Sequence, residues 1–178
     1  AKLTNLGVGA LGSSAIKSVS VDSGNKTFKV EDNFLKNTAG KLIAYLGSES
    51  EVTLPVSDAG VADGVFAGNT SIKKITLPET VKTVTSNMFY GCLGVETIVL
   101  DGVTTIDANA FDGCVNLKNI MIPSSVTSIA ASAFTGAGAM DGTSELTVDL
   151  TDAAAEIFKV SSMFKASGVA KVILPDDI

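Results

Sequence analysis

The chain has 178 residues, 46% of them hydrophobic and only 18% charged, with seventeen glycines and four prolines, which is the balance of an ordered chain with a sizeable core. Lysines and acids leave a formal charge of -6, and neither arginine nor histidine occurs. Nucleic acid and anionic membranes are disfavoured as partners, because phosphates are held by clustered positive charge and guanidinium forks, and the usual Ser-His and Cys-His dyads and histidine metal sites are excluded.

The N-terminus, Ala1-Lys2-Leu3, carries neither an initiator Met nor the apolar run of a signal peptide, as expected of a chain whose leader was removed or of an excised domain. No stretch approaches the roughly 20 apolar residues that span a bilayer. Gly7-Val8-Gly9-Ala10-Leu11-Gly12 spells the Gly-x-Gly-x-x-Gly of dinucleotide loops, but six residues are too few for a preceding strand and no βαβ unit follows. A flexible or capping segment is expected there, and no cofactor. Ile16, Val19 and Val21 match the strand end of a unit, with Ser20 outward. Phe34-Leu35-Lys36, then Asn37-Thr38-Ala39-Gly40, then Leu42-Ile43-Ala44-Tyr45 reads as strand, turn and strand, a hairpin attached to the first coil.

From there the chain is periodic. Each proline follows an apolar triplet: Val52-Thr53-Leu54-Pro55, Ile75-Thr76-Leu77-Pro78, Ile120-Met121-Ile122-Pro123 and Val172-Ile173-Leu174-Pro175. Ile98-Val99-Leu100 and Leu146-Thr147-Val148 fill the same slot with Asp101 and Asp149 in place of proline. Leu54, Leu77, Leu100, Ile122, Val148 and Leu174 are then 23, 23, 22, 26 and 26 residues apart, and Phe66, Phe89, Phe111 and Phe134 keep the same time. Such self-similarity predicts a stack of short coils. Val103 and Ile106 should point inward from an extended segment, Ala110-Phe111 should begin a tight helical turn capped by Asp107 (Ser86 one unit earlier), and Gly113 should end it in a left-handed conformation. Leu117, Ile120 and Ile122 return the chain into a strand, and proline forces the exit. Thr151 to Phe158 reads as a further capped helical turn.

Written out as Val-x-x-Ile-x-x-x-Ala-Phe-x-Gly-Cys-x-x-Leu-x-x-Ile-x-Ile-Pro, the unit resembles the BspA-like class of leucine-rich repeats, closely from Val52 to Pro175. The preceding stretch resembles that family's variant unit with an inserted hairpin. The fold expected is an α/β repeat solenoid: a right-handed superhelix with a parallel β-sheet on one face, short helical turns behind and a β-hairpin insert near the N-terminus. It is read as one domain over 1–178, with a partial or variant repeat over 1–51 and about five repeats of 22–26 residues over 52–175. The resemblance implies a secreted or surface-attached bacterial protein of adhesin type, non-enzymatic, with a protein or glycan partner. A structural spacer or stalk within a larger surface protein is the alternative.

Three kinds of residue invite a chemical reading. Cys92 and Cys114 should stack on neighbouring coils facing inward, as a bridge across the rungs or, the preferred reading, as two small buried thiols. The acid pairs Glu31-Asp32 and Asp176-Asp177 diverge on an extended chain and read as solvated charge, and Asp141-Gly142-Thr143-Ser144-Glu145 lacks EF-hand spacing. If the first and third residues of each triplet face the core, the middle ones face solvent. Thr53, Thr76, Val99, Met121, Thr147 and Ile173, with Ser20 upstream, then form an exposed row edged by Lys73, Lys74, Glu96, Lys118 and Asn119. This row is the candidate partner-binding surface.

Overall fold

The structure is a computed structural model, and it describes residues 6–12, 16, 18–139, 143–154, 157 and 163–176. Alternation of apolar and polar residues every second position predicts half-buried strands, and six of them pair in parallel: β4 (Glu51–Thr53), β5 (Lys74–Leu77), β7 (Thr97–Leu100), β9 (Asn119–Met121), β11 (Thr147–Asp149) and β12 (Lys171–Ile173). They lie in chain order across one sheet, the arrangement of a β-solenoid of about five turns. Val52, Ile75, Ile98, Ile120 and Val148 of these strands are buried, as are Leu54, Leu77, Leu100, Ile122 and Leu150 at their exits. The prolines follow at the exits, where a missing N–H stops the ladder.

A second, shorter parallel sheet runs behind the first: β6 (Thr83–Val84), β8 (Thr105–Ile106) and β10 (Ser128–Ile129). Its Val84, Ile106 and Ile129 face the core, as their fixed spacing predicts. Hydroxyls that precede its strands bind coil to coil, with the Thr104 Oγ1–H donating to the Lys82 carbonyl at 3.0 Å and the Ser125 Oγ–H to the Val103 carbonyl at 2.6 Å.

The expected helical turns are replaced by β-turns. The Met88 N–H reaches the Thr85 carbonyl and the Tyr90 N–H the Asn87 carbonyl, while the Phe89 and Gly91 N–H groups donate outward to Ala110 and Asp112 on the next coil. Asn87 (φ 56°) and Gly91 (φ 67°), like Asn109 (φ 55°) and Gly113 (φ 76°), are left-handed. Left-handed residues four apart leave no room for a helical turn that bonds to itself, because an α-helix needs consecutive right-handed residues. Ser86 and Asp107 therefore have no helix to cap. The rings still plug the coils: Phe66, Phe89, Phe111 and Phe134 are fully buried and stacked at centroid distances of 5.8, 5.7 and 4.9 Å.

Three further expectations change. The N-terminal hairpin is a three-stranded antiparallel meander of β1 (Phe28–Glu31), β2 (Phe34–Asn37) and β3 (Leu42–Tyr45), because Asp32 and Asn33 at φ 51° and 61° form a tight hairpin turn that adds a strand in front. Ser18 to Asp22 alternates in exposure but pairs with no strand, so Ser20 does not extend the outward row. The slot after β9 is filled by Val148-Asp149-Leu150 and not by Leu146-Thr147-Val148, since Val148 pairs with Ile120 and Asp149 with Met121. Asp149 is thus an outward strand residue, and Thr151 takes the exit position. Of the helical turn expected over 151–158, residues 155, 156 and 158 lie outside the described residues, and Ile157 is held by a single turn from its N–H to the Ala154 carbonyl.

The meander closes the N-terminal end of the stack. Phe34 and Tyr45 lie over Phe66 at 6.1 and 5.5 Å, continuing the ring column out of the repeats. The Tyr45 hydroxyl donates to Glu49, whose other oxygen accepts from the Asn33 side-chain amide at 2.7 Å. Burial and then this hydrogen bond push the Tyr45 ionisation up, and the same bond holds the Glu49 carboxyl below its ordinary range. Among the described residues no helix is long and apolar enough to cross a membrane.

Candidate functional site

The outer surface of the six-stranded sheet carries two parallel rows of side chains, because pleating sends every second residue outward. The first row is Thr53, Thr76, Val99, Met121, Asp149 and Ile173. The step from Val99 to Met121 follows from the pairing of Thr97 with Asn119, two residues earlier on each strand. The second row is Glu51, Lys74, Thr97, Asn119, Thr147 and Lys171. Thr147 is therefore outward as expected but stands one row over, and Asp149 holds the place assigned to it.

The register places five of the six expected residues in a single line: Thr53, Thr76, Val99, Met121 and Ile173. Met121 is the most open apolar member, 54% exposed, beside the half-buried Val99. Neighbouring strands lie about 4.8 Å apart, so these two form a continuous apolar centre, with Thr76 on one side and the Asp149 carboxylate on the other. The charged and polar members missed in sequence, Glu51, Thr97, Asp149 and Lys171, follow from the register. Leu146, Val148 and Leu150 all alternate correctly, and a pattern of period two looks the same after a slip of two residues.

One rim of the face is a ladder of charge. Glu96 accepts from Lys118 Nζ at 2.8 Å and lies 3.5 Å from Lys73 Nζ, so three successive coils contribute one ion each. The Lys118 hydrogen bond first, with Lys73 adding to it, holds the Glu96 carboxyl below its ordinary range, and Glu96 raises Lys118 in return. All three are solvated, and exposed pairs of this kind contribute little to stability. Their effect is to fix the position of charge beside the apolar centre.

Elsewhere the expected chemistry resolves into structure. Gly12 and Gly68 approach so closely that a Cβ on Gly12 would lie 1.7 Å from the Ala67 carbonyl oxygen, so the glycine string packs the N-terminal segment onto the first repeat turn. Cys92 and Cys114 are free, buried thiols, as preferred above, donating to the Phe66 and Phe89 carbonyls of the preceding coils at 3.1 and 3.2 Å. Glu31 binds Lys36 at 2.9 Å and Lys29 at 3.2 Å on the meander, with Asp32 3.4 Å from Lys36. Residues 141, 142 and 177 of the other acidic strings lie outside the described residues. Among the described residues no three His, Cys, Asp or Glu side chains come together to hold a metal ion.

The sequence profile of the BspA type leucine-rich repeat region matches residues 44–165 in six copies. The chain belongs to this family. Two solved structures share its fold. A leucine-rich cell surface protein from Faecalibacterium prausnitzii A2-165 superposes with a TM-score of 0.69 at 21% identity, over 88% of this chain and 41% of that one. The pneumococcal vaccine antigen PcpA superposes with a TM-score of 0.67 at 23% identity, over 91% of this chain and 38% of its own. The chain thus spans about two-fifths of the length of either protein. No protein of curated function matches the sequence.

Proposed function

We propose that this BspA-type repeat protein is a non-enzymatic recognition module of a bacterial surface or secreted protein, binding a protein or glycan through the outer face of its parallel sheet. The observation that carries this reading is the line Thr53, Thr76, Val99, Met121, where an exposed apolar centre sits between hydroxyls and charge on the outer face of a hydrogen-bonded sheet whose other face is packed in the core. Rigid presentation lowers the ordering cost of binding, and an apolar centre with a polar rim is the usual anatomy of a protein contact. The cell-surface description of the protein from Faecalibacterium prausnitzii supports the location.

The test is a binding screen of the chain against extracellular matrix proteins, plasma proteins and a glycan array, followed by Met121→Glu. A charge at the centre of the contact is expected to weaken binding at least about tenfold, with the melting temperature unchanged. Val56→Glu, on a residue 63% exposed and off the sheet, is the control and should bind as the parent does. Binding that survives Met121→Glu assigns the partner to another face. An empty screen favours the spacer reading.

A further inference from the structure

We infer that the C-terminal end of the stack is an unfilled coil–coil interface, built to receive one more coil of the same repeat type. Val172 and Leu174 occupy the inward positions that Val148 and Leu150 fill one strand earlier, yet they are 37% and 49% exposed where those two are 0% and 2%. Phe164 meets Phe134 in a tilted contact at 5.4 Å and is only partly buried, whereas every repeat ring from Phe66 to Phe134 is fully covered. Among the described residues, sheet row and ring column are thus both uncovered at the same end, and a lone strand would cover only the first.

The backbone defines the direction of the missing partner. At each strand exit an N–H donates forward: Leu54 to the Thr76 carbonyl, Ile122 to that of Asp149 and Leu150 to that of Ile173, each at 2.9 Å. At each strand start an N–H donates back, Lys74 to the Ser50 carbonyl, Thr147 to that of Lys118 and Lys171 to that of Leu146. The next members of the two series are the Leu174 N–H and the Ala170 carbonyl, and among the described residues neither has a partner. A parallel strand satisfies both. Pro175 is no obstacle, since β5 and β9 precede Pro78 and Pro123 and pair on both sides.

A second copy is a poorer occupant. Its N-terminal end is already closed by Phe34 and Tyr45 over Phe66, and a two-fold pairing of β12 with itself would be antiparallel, unlike every other pairing in this sheet.

The experiment replaces residues 175–178 with a second copy of residues 78–102, which carry one full coil from a strand exit through the next strand; a copy of residues 101–123 provides an independent extension. If the end is a coil interface, amide exchange at Leu174 slows at least about tenfold and the melting temperature rises by more than about 2 °C. Val172→Asp abolishes that rise in the extended protein while shifting the unextended one by less. Unchanged Leu174 exchange in both extended proteins overturns the inference. So does a concentration-dependent dimer of the unextended chain, seen by sedimentation, that already protects Leu174.

Discussion

At the residue scale the repeat is written in small, specific devices, and the cysteines show how one works. Each thiol fills a space behind a phenylalanine turn and caps a carbonyl of the coil below, so the sulfur both packs and donates. Desolvation pushes the Cys92 thiol up from 9.0 to about 12, and burial pushes Cys114 up as well. Between 9.0 and about 12 the unfolded chain releases a proton that the folded chain keeps, so this contribution is whole below 9.0 and is lost as pH rises through the window. Denaturant midpoints measured across that window should fall less steeply for Cys92→Ala than for the parent. Equal slopes would mean that the thiol is not desolvated. The inward placement of both cysteines was legible in sequence from their fixed offset to phenylalanine; the choice between bridge and free thiols was not, because it depends on where each sulfur points between coils.

At the element scale the ring column carries the energetics of the stack. Phe111 is enclosed by Phe89 at 5.7 Å and Phe134 at 4.9 Å, and Phe111→Ala should destabilise by roughly 3–5 kcal/mol through lost transfer energy and a cavity. Among the described residues Phe164 has Phe134 as its one ring neighbour and is only partly buried, so Phe164→Ala should cost less, roughly 1–3 kcal/mol. Equilibrium unfolding of the two variants checks the difference, and equal losses would contradict the end-to-middle gradient. The phenylalanine spacing disclosed the column without help. The turn that holds each ring reads as helical in sequence because Ala-Phe-x-Gly-Cys suits a short capped helix locally, yet it is a β-turn. Asn87 and Asn109 in left-handed geometry, and N–H groups committed to the next coil, are preferences that appear only when the coils are stacked.

At the scale of the whole molecule, stability in a solenoid is a sum over coils and the interfaces between them. The middle strands β5, β7 and β9 have a neighbour on both sides and a closed core beneath, whereas β12 has one neighbour among the described residues and an exposed inward row. Native-state hydrogen exchange should therefore be slowest in β5, β7 and β9 and fastest in β12, a gradient of several powers of ten in protection. Uniform protection across the six strands would show that the chain opens only as a unit.

The sequence by itself determined the family, the inward residues of nearly every coil, the exits at the prolines and most of the outward row, because those depend on periods of two and of about 23 that a linear chain displays directly. Tertiary structure decided the rest. Thr147 and Asp149 exchange rows because hydrogen-bond register chooses among Leu146, Val148 and Leu150, which the alternation alone leaves equivalent. The same register sets Met121 beside Val99 and ahead of Asp149, and so defines which side chains a partner would meet.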